Sequence, residues 1–215
     1  MLTQAPADFV REVTRLGSAR LVPNLKIHIA DELTPLWEKT ELFFEEAGIA
    51  PPYWAFAWPG AEALARHILD HPHLVAGKRV LDFAAGGGLA AIACAAAGAT
   101  IVEANEIDPL AIAAISLNAA LNNVKITPVL GDIVGRECAW DVILCGDVCY
   151  EAPMTKVLIP WLRTMAKQAL VIVADPGRAY LPVDGMHPLA QYDVPTTMEL
   201  EDRLVRKTTL FQLVP

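Results

Sequence analysis

Apolar residues along this chain change their spacing several times, and each change marks an element. Phe9, Val10, Val13 and Leu16 recur at helical intervals and predict a first helix that ends near Gly17. Leu25-Lys26-Ile27-His28-Ile29 alternates apolar and polar positions as a short strand does. Leu36, Trp37, Phe43 and Phe44 return to helical spacing, with Gly48 as the expected stop. From Arg79 onward, short apolar runs are interleaved with longer helical ones. Strands are predicted over residues 80–83, 100–104, 128–130, 141–145 and 169–174, and helices over 89–97, 109–122 and 153–166. Asp108 and Pro109 supply an N-cap and a first position for the second of these helices. The last two predicted strands, 189–194 and 206–214, have no helix between them. Their connection near 195–202 implies an antiparallel hairpin at one sheet edge.

Strand–helix alternation implies an α/β fold with right-handed crossovers: a Rossmann-like, doubly wound, mostly parallel sheet ending in that hairpin. Residues 1–50 read as an N-terminal extension of helix and strand that caps a domain spanning 51–215. The composition agrees. A chain of 215 residues, 54% hydrophobic and only 20% charged, can bury a sizeable core. The net charge of −8 makes nucleic acid a poor partner and favours a cationic substrate or a basic protein surface. Cys94, Cys138, Cys145 and Cys149 show no metal-ligand spacing, and are expected to be reduced core thiols. No secretory signal and no membrane-spanning run is visible, so a bacterial cytoplasm is the expected setting.

The candidate chemistry starts at Val80-Leu81-Asp82-Phe83-Ala84-Ala85-Gly86-Gly87-Gly88, a strand that turns through small residues into a helix start. Such a turn lets a nucleotide-like ligand approach the backbone and meet free N–H groups. Glu106, about twenty positions past the turn, is placed to accept hydrogen bonds from ribose hydroxyls. Asp132, after the third strand, can accept from an exocyclic adenine amine. A carboxylate at Asp82 would repel a dinucleotide pyrophosphate but tolerate the ammonium and sulfonium of S-adenosylmethionine. That contrast favours the methyl donor over a nicotinamide cofactor. Pro51-Pro52-Tyr53-Trp54-Ala55-Phe56-Ala57-Trp58-Pro59-Gly60 gathers aromatics in a loop just before this unit, where they either anchor the core or line a ligand site.

Asp82 through Gly88, Glu106-Ile107-Asp108 and Gly131-Asp132 resemble the motifs of class I, seven-β-strand, S-adenosylmethionine-dependent methyltransferases, with Ala84 in place of the usual first glycine. Within that class, Tyr53-Trp54 with Trp58-Pro59-Gly60, Gly146-Asp147 with Tyr150, and Asp175-Pro176-Gly177-Arg178 resemble the electron transfer flavoprotein β-subunit lysine methyltransferases. The resemblance implies S-adenosylmethionine as cofactor, held by Trp58, Asp82, Ala84, Ala85, Gly86, Gly88, Glu106, Ile107, Asp132, Ile133 and Asp147. It implies no metal. Asp147 and Tyr150 are the expected catalytic pair, with Tyr53, Trp54, Tyr150 and Arg178 on the substrate side. The implied partner is a protein with exposed lysines, the electron transfer flavoprotein β-subunit. Two alternatives stay open: another acceptor, such as a ribosomal protein or a small amine, and a non-catalytic module that binds S-adenosylmethionine.

Overall fold

The computed structural model describes residues 4–44 and 51–215. The chain begins with α1 (Pro6–Val13), then β1 (Arg15–Gly17) and β2 (Ile27–Ile29), which pair antiparallel. α2 (Leu33–Phe44) follows, and then α3 (Pro59–Asp70). The main unit runs β3 (Arg79–Phe83), α4 (Leu89–Ala96), β4 (Ile101–Glu106), α5 (Pro109–Leu121), β5 (Thr127–Leu130), β6 (Val142–Gly146), α6 (Ala152–Met165) and β7 (Leu170–Asp175). It closes with β8 (Met186–Pro195), the short α7 (Met198–Glu201) and β9 (Val205–Leu213). The expected stop of α2 at Gly48 and the expected domain boundary at residue 50 fall outside the described residues.

One seven-stranded sheet carries the order β5-β4-β3-β6-β7-β9-β8. The strands from β5 to β7 in that order are parallel, and β9 is antiparallel to both β7 and β8, as the predicted doubly wound sheet with a terminal hairpin requires. Central strands are buried on both faces, which is why they read as continuous apolar runs. Val80, Val142, Leu144, Ile172 and Ala174 face the cluster that holds α3 and α4. Leu81, Phe83, Ile143, Cys145, Val171 and Val173 face α6 on the other side. Prolines sit in the two outermost strands, Pro128 in β5 and Pro188 beside a bulge in β8, where a missing N–H is tolerated.

Two expectations are corrected. Leu16 does not continue α1; it lies in β1 and is 61% exposed. Thr14 ends the helix, because its backbone turns extended and its hydroxyl donates to the Val10 carbonyl at 2.5 Å. The last two strands do have a helical turn between them, α7, whose N-cap Thr197 accepts from Leu200 N–H. Four residues are too few to produce a readable period. The N-terminal segment shares the core of the sheet: Ala19, Val22, Leu25 and Ile27 are buried in the same cluster as α3 and α4. Phe9 and Val10 pack with Leu110, Ala111 and Ala114 of α5.

Candidate active site

The chain leaves β3 toward β4 and leaves β6 toward β7, in opposite directions along the sheet, so a crevice opens between the carboxyl ends of β3 and β6. A cleft of about 860 Å³ lies there, within the usual range for small-ligand sites. Its lining includes Trp58, Ala84, Gly86, Glu106, Ile107, Asp132, Asp147, Tyr150 and Arg178 from the expected site, together with Tyr53 and Trp54. The turn after β3 forms the floor. A Cβ on Gly87 would lie 2.8 Å from the Trp54 carbonyl oxygen, so only glycine lets the turn pack this closely on the aromatic loop. Ala84 adopts φ 51°, a left-handed conformation that glycine would take without strain.

The acidic residues divide by position. Asp82 points with Val80 toward α4 and accepts from Ala91 N–H at 2.9 Å, beneath the turn and away from the cleft lining. Burial pushes its carboxyl up to about 7. Glu106, at the end of β4, reaches the cleft and holds the turn, accepting from Gly86 N–H at 2.8 Å. Asp108 caps α5, accepting from Leu110 N–H at 2.7 Å. Asp132 is exposed on the cleft wall and accepts from Val134 N–H. Ile107 is exposed at the same wall, whereas Ile133 is a core residue at 1% exposure. Ala85 lines a small adjoining cavity of about 40 Å³. Gly88 is the left-handed N-cap of α4 and packs toward Ile115.

Opposite the turn, Asp147 occupies the carboxyl end of β6 with φ 58°, a conformation Asp adopts more readily than most residues. Its Oδ2 accepts from Gly60 N–H at 2.6 Å, in the first turn of α3, where the helix dipole favours a carboxylate. A Cβ on Gly60 would sit 2.6 Å from the Asp147 nitrogen, so glycine is needed for this approach. The other oxygen, Oδ1, accepts from Arg178 Nε at 2.8 Å. Burial is the largest influence on this carboxyl and outweighs Arg178 and Gly60, raising it to about 6. Tyr53 meets Tyr150 edge-on at 5.8 Å between centroids and Trp58 at 5.5 Å, so three rings form a wall beside Asp147. Trp58 is fixed by its indole N–H donating to the Tyr53 carbonyl. Burial, with Glu151 and Tyr53 nearby, raises the Tyr150 phenol to about 12, so it keeps its proton at neutral pH. Trp54, only 3% exposed, belongs mainly to the core.

Most expected residues therefore meet in one cleft; Asp82, Gly88 and Ile133 support it from behind. Arg178 does not present a free guanidinium. It is paired on one edge with Asp147 and on the other with Glu201. Several contributors carried no signal in the sequence. Asn118, fully buried on α5, accepts from His28 N–H at 2.7 Å and donates to the Gly87 carbonyl at 2.8 Å, tying β2 to the turn. Asn105 donates to the Val129 and Gly131 carbonyls and fixes the loop that carries Asp132. Asn118 sits in a mainly apolar stretch and Asn105 among acids at the end of β4, and each is the kind of buried polar group that needs a partner.

The cleft fits the methyl donor. Its floor is made of small residues, Glu106 and Asp132 are acceptors at its walls, and the lining is otherwise largely aromatic and aliphatic. The family model for ribosomal protein L11 methyltransferase (PrmA) matches residues 63–181. The electron transfer flavoprotein beta subunit lysine methyltransferase of Xenopus laevis is 36% identical over 98% of this chain and 87% of its own length. The protein of that name from Homo sapiens is 34% identical over 95% of this chain and 79% of its own length. Magnesium protoporphyrin IX methyltransferase (ChlM) from Synechocystis, solved with bound S-adenosylmethionine, superposes with a TM-score of 0.53 at 19% identity, over 71% of this chain and 77% of that one. The expected bacterial setting finds no counterpart in the Xenopus and human relatives. Among the described residues no helix is long and apolar enough to cross a membrane. The chain is an S-adenosylmethionine-dependent methyltransferase with a PrmA-type core, and it belongs to the electron transfer flavoprotein beta subunit lysine methyltransferase family.

Proposed function

We propose that this enzyme methylates lysine side chains of the electron transfer flavoprotein β-subunit. The observation that carries the reading is the placement of Asp147: a buried carboxylate on the cleft, at the end of β6, with Tyr53, Tyr150 and Trp58 beside it. Bound S-adenosylmethionine supplies an electrophilic methyl group on a sulfonium. The protein has little covalent work to do and must hold the attacking amine in line. Asp147 accepts hydrogen bonds from the incoming lysine ammonium and orients it, and the proton leaves to water before attack. The Tyr53 and Tyr150 rings attract the cation and exclude water around it, and Trp58 buttresses Tyr53 from the cofactor side. On the cofactor side, Glu106 takes the ribose hydroxyls, Asp132 the adenine amine, and the Ala84–Gly86 backbone the amino-acid end.

Purified enzyme, radiolabelled methyl donor and the flavoprotein β-subunit should give label on lysine of that subunit, located by peptide mass analysis. Ribosomal protein L11 is the comparator, because the family model matching the core bears that name. Label on L11 and none on the β-subunit would refute the assigned substrate. Absence of turnover on both, with cofactor binding retained, would refute the assigned substrate and point to a different acceptor.

A further inference from the structure

Asp147 ends a row of alternating charges that runs out of the cleft into the terminal hairpin. Arg178 Nε and Nη2 approach Asp147 Oδ1 at 2.8 and 2.7 Å. On its other edge, Arg178 donates to Glu201 at 3.1 Å through Nη1 and at 2.5 Å through Nη2. Arg206 Nε donates to Glu201 Oε2 at 2.7 Å. Glu201 is the most enclosed member, with a side chain 1% exposed against 9% for Asp147 and about 20% for either arginine. It sits on α7, the turn between β8 and β9, and lines no part of the cleft.

Burying a carboxylate costs several kcal/mol unless well-aimed donors compensate it, and an apolar residue would stabilise the hairpin as well. The geometry explains what the carboxylate adds. A guanidinium is a rigid planar fork, so fixing one edge fixes the direction of the other. Glu201 holds the Nη1/Nη2 edge and thereby aims the Nε/Nη2 edge at Asp147. The Asp147 carboxylate is then locked from two sides, by Gly60 N–H on Oδ2 and by Arg178 on Oδ1.

We propose that Glu201 is a positioning residue for methyl transfer, acting through Arg178 to hold the Asp147 carboxylate in the orientation that receives the amine. The inference rests on the role of Asp147 given above. A misplacement of about 1 Å at a reacting group costs on the order of a hundredfold in rate, so a lost lock is read in kcat.

The test is a kinetic double-mutant cycle on the full chain with the flavoprotein β-subunit. Glu201→Gln should lower kcat by roughly 10- to 100-fold while cofactor affinity and protein KM stay within about twofold. Arg178→Met should lower kcat at least as far. The double variant should be no slower than Arg178→Met alone, because both changes cut one connection. Additive losses, an unchanged kcat in Glu201→Gln, or a loss confined to KM would each overturn the inference. Should Glu201→Gln fail to fold, Glu201→Asp keeps the charge but is too short to hold the arginine edge. It should show the same non-additivity with a smaller loss, and wild-type kcat there would refute the proposal. Asp147→Asn separates the two readings. Full activity in that variant removes the role of Asp147 itself, whereas a slow Asp147→Asn with a fast Glu201→Gln removes only the role of Glu201.

Discussion

Asp147→Asn tests the mechanism through its pH dependence as well as through its size. The substitution keeps the side-chain volume and the acceptor for Gly60 N–H, but it puts an amide donor where an oxygen accepts from Arg178 and removes the charge proposed to orient the ammonium. A hydrogen bond to a charged group contributes about 1.5–3 kcal/mol, so kcat/KM at pH 8 should fall about 10- to 150-fold. The wild-type carboxyl is raised to about 6, chiefly by burial, with Glu201 adding to the rise and Arg178 and Gly60 opposing it. In the proposed mechanism the ionised form receives the ammonium, so activity should be lost as pH falls through that value. The lysine acceptor, with a reference pKa of about 10.4, must also shed a proton. Log kcat/KM should therefore rise with a slope of about 2 below pH 6 and about 1 above it, whereas Asp147→Asn should show a slope of about 1 throughout. At pH 5 roughly a tenth of the wild-type carboxyl is ionised, so the advantage over the variant should shrink about tenfold between pH 8 and pH 5. Initial rates with labelled methyl donor at subsaturating protein substrate measure this. A wild-type-to-variant ratio that stays constant from pH 5 to 8 would refute the role given to Asp147.

Other outcomes follow from single side chains. Glu106→Ala should weaken S-adenosylmethionine binding about 10- to 100-fold by calorimetry, since it removes an acceptor at the cleft and frees the Gly86 N–H; equal affinity would take Glu106 out of the site. Asn118→Ala should cost about 2–4 kcal/mol in denaturant unfolding, because it strands the buried His28 N–H and the Gly87 carbonyl partner together. Glu62, buried on α3 with its carboxylate accepting from Leu21 N–H, is raised to about 7 mainly by burial. The folded state then holds a proton that the unfolded chain releases near 4.5, so the contribution of Glu62 is fully present below that pH and is lost as pH rises through 7. Glu62→Gln should keep the hydrogen bond and flatten the stability profile between pH 4.5 and 7, with a gain of up to about 3 kcal/mol at pH 8. An unchanged profile would show that Glu62 is already ionised in the fold.

The proposed cofactor half of the site is readable in the sequence because its requirements are local. A small-residue turn between a strand and a helix, with acids after the next two strands, is a pattern of neighbours along the chain. Glu106, Asp132 and Asp147 lie just past the ends of predicted strands, and the doubly wound order brings those ends together. Asp82 satisfies the same local pattern, yet it turns under α4 to meet Ala91 N–H. Strand parity decides that: Asp82 shares a face with Val80, and that face is covered by α4. Ile133 shows the same limit, since one residue past the exposed Asp132 the chain already turns back into the core.

Apolar periodicity and turn chemistry in the chain alone determined the order of strands and helices, the parallel sheet, the terminal hairpin and the glycine turn, since each depends on residues within a few positions of one another. The tertiary structure alone decided which polar side chains meet. Asn118 reaches Gly87 and His28 across 31 and 90 positions, and Arg178 is shared between Asp147 and Glu201 at separations of 31 and 23. No local pattern encodes such distances, because hydrogen bonds and ion pairs form only after the sheet and its two helical layers have closed around them.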